Sequence, residues 1–98
     1  MDLGLAIAIY LGHGSPDIVF PQRSPERLSE ACGGNASPLL LKQVEEALHF
    51  LYEYDPDWSK QTLLTASTRA VERTLARYPQ ISDVGAKAMI WAYSWDFK

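Results

Sequence analysis

Three small groups of residues in this chain are of types that can do chemistry. The first is the loop Gly12-His13-Gly14-Ser15-Pro16-Asp17, which places an imidazole, a hydroxyl and a carboxylate within six residues. Nucleophilic triads bring their members together through the fold rather than along one short loop, and no G-x-S-x-G turn is present. The two glycines could bare backbone N–H groups toward an anion. His13, Gly14 and Ser15 therefore stand as a candidate anion or small-ligand loop, although neither G-x-G-x-x-G nor a P-loop occurs. An ordinary Gly/Pro turn accounts for the same residues. The second group is Glu46-Ala47-Leu48-His49, the E-x-x-H half-motif of carboxylate-bridged di-iron bundles. Such a site needs a second copy and two further inward carboxylates, and the chain supplies no second copy. Glu45, His49 and Glu53 could at most hold an ion loosely at an open surface. No metal site and no cofactor are expected. The third is the lone thiol of Cys32, which has no base beside it in sequence. One cysteine also forbids an intrachain disulfide, which fits a reducing compartment.

A fourth pattern concerns binding rather than catalysis. Arg69, Arg73 and Arg77 recur every four residues, and no acid stands four residues before Arg69. Like charges at that helical spacing cost ~0.2–0.5 kcal/mol per pair, a cost that an acidic partner or a phosphate would offset. A solvated basic face, balanced by a neighbouring helix, is the simpler reading. On the preceding helix, Glu45, Glu46, His49 and Glu53 lie on the far side from the apolar stripe, with Lys42 the one cation there. Acid outside one helix and base outside the next suits self-association.

The elements that must position these residues are helical by their start and stop signals. Leu3–Leu11 is apolar, preceded by Asp2 as a cap and followed by Gly12 as a stop. Its nine residues are too few for a membrane span of ~20, and no basic residue precedes it, as a signal peptide would require. The alternation Leu5, Ile7, Ile9 also fits a strand. Ser24-Pro25-Glu26 and Ser37-Pro38 each read as an N-cap followed by proline at the first helical position. The spacing then predicts one helix over 38–54, with Leu40, Val44, Ala47, Leu48 and Leu51 inward. It predicts another over 57–78, with Leu64, Val71, Leu75 and Tyr78 inward, ended by Pro79.

The last run, Ser82 to Phe97, is apolar on two sides. At ~100° per residue, Val84, Ala88, Trp91 and Trp95 line one face; Met89, Ile90, Tyr93 and Phe97 line another. A helix with apolar residues on both sides must be covered on both, and in so short a chain a second molecule could provide part of that cover. Aromatic residues are common at such contacts because they combine area with a polar edge. The strict alternation Trp91, Tyr93, Trp95, Phe97 is also a strand pattern. An α+β fold with the two chain ends paired as strands is thus the alternative to a helical bundle.

One stretch resembles a known family. Leu28-Ser29-Glu30-Ala31-Cys32-Gly33 followed by Ser37-Pro38-Leu39-Leu40-Leu41-Lys42-Gln43-Val44 is similar to the helix-turn-helix of bacterial transcription regulators. The resemblance covers about twenty residues and implies DNA binding through the second helix. It departs from the family where the function lies. Leu39, Leu40 and Leu41 occupy the base-reading positions, and Glu45 and Glu46 follow where phosphates want Lys or Arg.

Composition bounds the class. The 98 residues are 47% hydrophobic and 21% charged, ordinary for a globular protein and against disorder. The net charge of −3 gives no overall positive field toward nucleic acid or anionic lipid. The expectation is a single all-α domain over 1–98, a bundle of about five helices, cytoplasmic, with no membrane association. Its expected work is protein–protein interaction, as an adaptor, immunity-type or regulatory protein, with a protein partner that includes itself as a homodimer and no catalysis. Trp95, Tyr93 and Phe97 are the expected apolar contact; Arg69, Arg73 and Arg77 are the expected polar one. DNA binding and a small ligand-binding or enzymatic role for the 12–17 loop are the alternatives.

Overall fold

The computed structural model describes residues 1–34 and 37–97. Among these, five helices and no strand are found: α1 (Leu3–Leu11), α2 (Pro25–Ala31), α3 (Pro38–Tyr52), α4 (Leu63–Arg77) and α5 (Asp83–Asp96). The architecture is the all-α bundle, and the paired-strand alternative is overturned. The two chain ends do meet, but as helices. The turn between α2 and α3 contains residues 35 and 36, which lie outside the described residues.

Helix α1 is the centre of the molecule. The Asp2 carboxylate accepts the Leu5 N–H at 2.8 Å, and Gly12 stops the helix at φ +87°, donating back to the carbonyls of Ala8 and Ile9. Leu3, Ala6, Ile7, Ala8, Tyr10 and Leu11 are all buried, so it is α1 that is enclosed on nearly every side. Helices α2, α3 and α5 pack around it. The alanines favour helix over strand, and the Leu5 side of the expected strand face stays 40% exposed.

Helix α5 crosses α1 at backbone contact. A Cβ added at Gly85 would lie 2.5 Å from the Cα of Gly4, and one at Gly4 would collide with the Ser82 hydroxyl. Only two glycines allow this approach. The buried stripe of α5 is Gly85, Ala88, Met89, Ala92 and Tyr93, which runs between the two expected faces rather than along either. The cover for the flanks comes from the chain itself. The 12–24 loop brings His13 to Trp91 and Phe20 to Trp95, while the end of α3 and the 53–62 segment cover Tyr93 and Phe97 in part. Ser82 stands at the N-cap of α5 without a side-chain cap bond, and its hydroxyl donates to the Asp2 carboxylate at 3.3 Å.

Three local details differ from expectation. Helix α4 starts six residues late, since the Asp57 carboxylate takes the Ser59 N–H and hydroxyl in a turn and Thr62 becomes the cap. Leu64 then falls in the first turn and is 71% exposed; the buried face of α4 is made of Ala66, Ser67, Ala70, Val71 and Thr74. Small residues, not leucines, bring α4 against α3 and α5. Of the residues expected inward, Val44, Ala47, Leu48, Leu51 and Val71 are buried, whereas Leu40, Leu75 and Tyr78 are partly buried at the edge of the core. The third is Arg27. From α2 its Nε donates to the carbonyl of Ile9 at 2.8 Å, and its Nη2 to those of Tyr10 at 3.1 Å and Gln22. It thereby closes the C-terminus of α1 with a cation and ties down the 12–24 loop.

Candidate functional site

Two surfaces carry the residues expected to bind. The first is the C-terminal end of α5. Four large aromatic side chains stand there as two pairs drawn from three segments: Phe20 from the 12–24 loop, Trp58 from the α3–α4 connection, and Trp95 and Phe97 from the last turn of α5. Phe20 stacks on Trp95 with centroids 6.0 Å apart, and Trp58 meets Phe97 at 6.0 Å. Beneath them, Phe97 packs on Tyr93 at 4.6 Å and on Tyr52 at 6.1 Å. Tyr52 is the polar hinge of the group. Its hydroxyl donates to the Asp96 carboxylate at 2.6 Å, and the Arg23 guanidinium lies 5.5 Å from its ring centroid. Burial first, and the neighbouring Asp96 carboxylate second, hold the Tyr52 phenol well above its ordinary range.

The structure divides the three expected aromatic contacts. Trp95 and Phe97 are 39% and 44% exposed. Tyr93 is fully buried, its hydroxyl directed to the Tyr54 carbonyl at 3.5 Å, and burial raises its phenol. Tyr93 is a core anchor, not a contact residue, because it shares the stripe with Met89 that faces the bundle. Phe20 and Trp58 take its place at the surface, with Arg23 and Asp96 at the edge. Sequence reasoning missed them because both aromatics sit in Pro-flanked loops, where no helical period marks a face. An unpaired tryptophan in the run Asp55-Pro56-Asp57-Trp58 was the one available signal.

The second surface is the seam of α3 and α4. Packing separates the three arginines. Arg73 donates to the Phe50 carbonyl at 2.9 Å, lies 3.9 Å from the Phe50 ring centroid and reaches Glu53 at 4.0 Å. Arg77 lies 5.2 Å from the same ring. Arg69 lines a separate shallow hollow with Thr65, Thr68 and Glu72. The stripe is therefore divided: Arg69 stands apart, while Arg73 and Arg77 lie along the seam with α3. Outside α3 lies an open groove of about 1110 Å³, whose lining includes Lys42, Glu46, His49, Phe50 and Arg77. Glu46 pairs with Lys42 at 3.8 Å and His49 with Glu53 at 3.0 Å, all exposed. Among the described residues no cluster of three or more His, Cys, Asp or Glu side chains could hold a metal ion.

The 12–17 loop is a turn. His13 and Ser15 donate their N–H groups to Ala8 and Gly12, and Gly14 is exposed at φ +85°. The His13 ring packs 5.2 Å from that of Trp91. Arg23, the cation that a ligand site here would need, lies over Tyr52 instead. No helix among the described residues is long and apolar enough to cross a membrane. Comparison with protein-family models, with curated proteins and with solved structures gives no match, so the reading of function rests on this chain's own residues.

Proposed function

We propose that this chain is a small protein-interaction module that engages its partner through the aromatic end of α5. One observation carries the reading: two aromatic pairs, Phe20 with Trp95 and Trp58 with Phe97, flank the last turn of α5, and all four side chains stay between 39% and 47% exposed. Each such side chain offers about 150–250 Å², and leaving nearly half of it in water forgoes burial that folding alone could have used. Tryptophan, tyrosine, phenylalanine and arginine are the types enriched at the energetic centres of contacts. Arg23, Tyr52 and Asp96 supply a polar edge beside them. The partner's matching surface is an apolar recess rimmed by hydrogen-bonding groups.

The test is affinity capture from the source cell with the wild-type chain, Trp95→Ala and Phe97→Ala, each first shown to be folded. The reading expects a protein retained by the wild type and lost from both variants. Identical retention by all three would sink it. The exposed side of α3 carries Glu45, Glu46 and Glu53, which works against a DNA phosphate backbone.

A further inference from the structure

We propose that the α3–α4 face pairs with the same face of a second copy, about a two-fold axis running along the seam of the two helices. The proposal shares the reading of the chain as an interaction module but uses a surface other than the aromatic end. The seam divides charge along its length. Glu45, Glu46 and Glu53 outweigh Lys42 among the exposed charges of the α3 side, and Arg69, Arg73 and Arg77 outweigh Glu72 on the α4 side. The two ridges are level at Arg73 and Glu53 and one turn apart at Arg77 and Glu46. Arg73 reaches Glu53 at 4.0 Å, and Arg77 lies 5.2 Å from the ring of Phe50, one helical turn from Glu46.

An in-plane two-fold axis parallel to the helices exchanges the two walls while keeping their heights. Helix α3 of one copy then lies over α4 of the other. Glu53 faces the second copy's Arg73, and Glu46 comes within one helical turn of its Arg77, a span the long arginine side chain can bridge; each contact is made twice. A face of one sign would repel itself under this operation; a face split lengthwise attracts itself. Phe50, partly buried between the two arginines, gives the contact an apolar centre, and the open groove beside it leaves room for incoming side chains. Within one chain these exposed charges contribute little. Covered by a second copy they lose water and interact more strongly.

The experiment is molar mass in solution by light scattering across concentration, on the full chain. The variants are Arg77→Glu, Glu46→Arg, their equimolar mixture, and Trp95→Ala, with helicity checked by circular dichroism. The wild type is expected to be a dimer whose dissociation constant rises roughly tenfold from low to high salt. Arg77→Glu sets acid against acid and Glu46→Arg sets base against base, so each alone weakens the dimer roughly tenfold or more. The mixture restores a dimer containing one chain of each. Trp95→Ala dimerises as the wild type does. A monomeric wild type, single reversals that dimerise unchanged, a mixture that stays monomeric, or loss of the dimer in Trp95→Ala would each overturn the proposal. A monomer that still captures its partner through Trp95 would separate this failure from failure of the aromatic contact.

Discussion

The two ends of α5 are built on opposite principles. At its start, Gly4 of α1 meets Gly85 and Ser82 at distances that leave no space for a methyl group. At its finish, Trp95 and Phe97 are met by Phe20 and Trp58 in stacked and tilted pairs that leave all four nearly half in water. The crossing uses the smallest residues to bring two backbones together, and a packed interior tolerates no added volume. The aromatic end uses the largest residues and does not enclose them. Stability belongs to the first region, and the second is the surface proposed for contact.

The largest effect should come from filling the crossing. In an open helix, replacing glycine gains up to ~1 kcal/mol. Gly85→Val should instead cost about 3 kcal/mol or more, since its side chain meets the Gly4 backbone and the buried Ile81 side chain; denaturant unfolding measures it. A gain in stability would show that α1 and α5 do not touch as described. Next comes Arg27→Met, which removes the cation from the carbonyls of Ile9, Tyr10 and Gln22. A loss of about 2 kcal/mol is expected, together with faster proteolysis of the 12–24 loop. Trp95→Ala should cost about 1–2 kcal/mol, from the aromatic pair and the apolar area Trp95 already covers, while abolishing partner capture. A loss comparable to that of Gly85→Val would make the aromatic end part of the core and erase the contrast.

The smallest effects are in pH, and they read the two regions separately. The Asp2 carboxyl is held below its ordinary value by the Leu5 N–H, with the Ser82 hydroxyl adding to it. A depressed carboxyl gives stability that is complete above its unfolded pKa and is lost as pH falls through the folded one. Asp2→Asn should flatten that acid limb. At the other end, the raised phenol of Tyr52 gives stability that is complete below the unfolded pKa of about 10 and is lost as pH rises toward the folded value. Tyr52→Phe should flatten the alkaline limb and leave the acid one unchanged. Melting temperature across pH distinguishes them.

Most of the helical frame was legible because it is written in local chemistry. Asp2 with Gly12, Ser24 with Pro25 and Ser37 with Pro38 mark starts and stops that the structure keeps. Asp57 misled because its carboxylate closes a turn instead of opening a helix. Leu64 misled because large apolar residues were taken to define a face that is in fact lined by Ala66, Ala70 and Thr74. The crossing was illegible for a different reason. A glycine inside a helix registers in sequence only as a weak helix former, and its value appears when a second glycine arrives from eighty residues away. Of the expected contact surface, Trp95 and Phe97 are exposed as their spacing suggested. Tyr93 is not, and Phe20 and Trp58 lay in loops whose direction only the packing determines.

Native-state hydrogen exchange compares the two regions in one measurement. If the crossing is the stable centre and the aromatic end an open contact surface, amides of α1 and of residues 86–92 exchange only through global unfolding. Those of residues 19–23 and 55–61 exchange through local openings of far lower free energy. Equal protection of both regions would show the aromatic end to be as integral to the folded core as the crossing, and would contradict the division of labour described here.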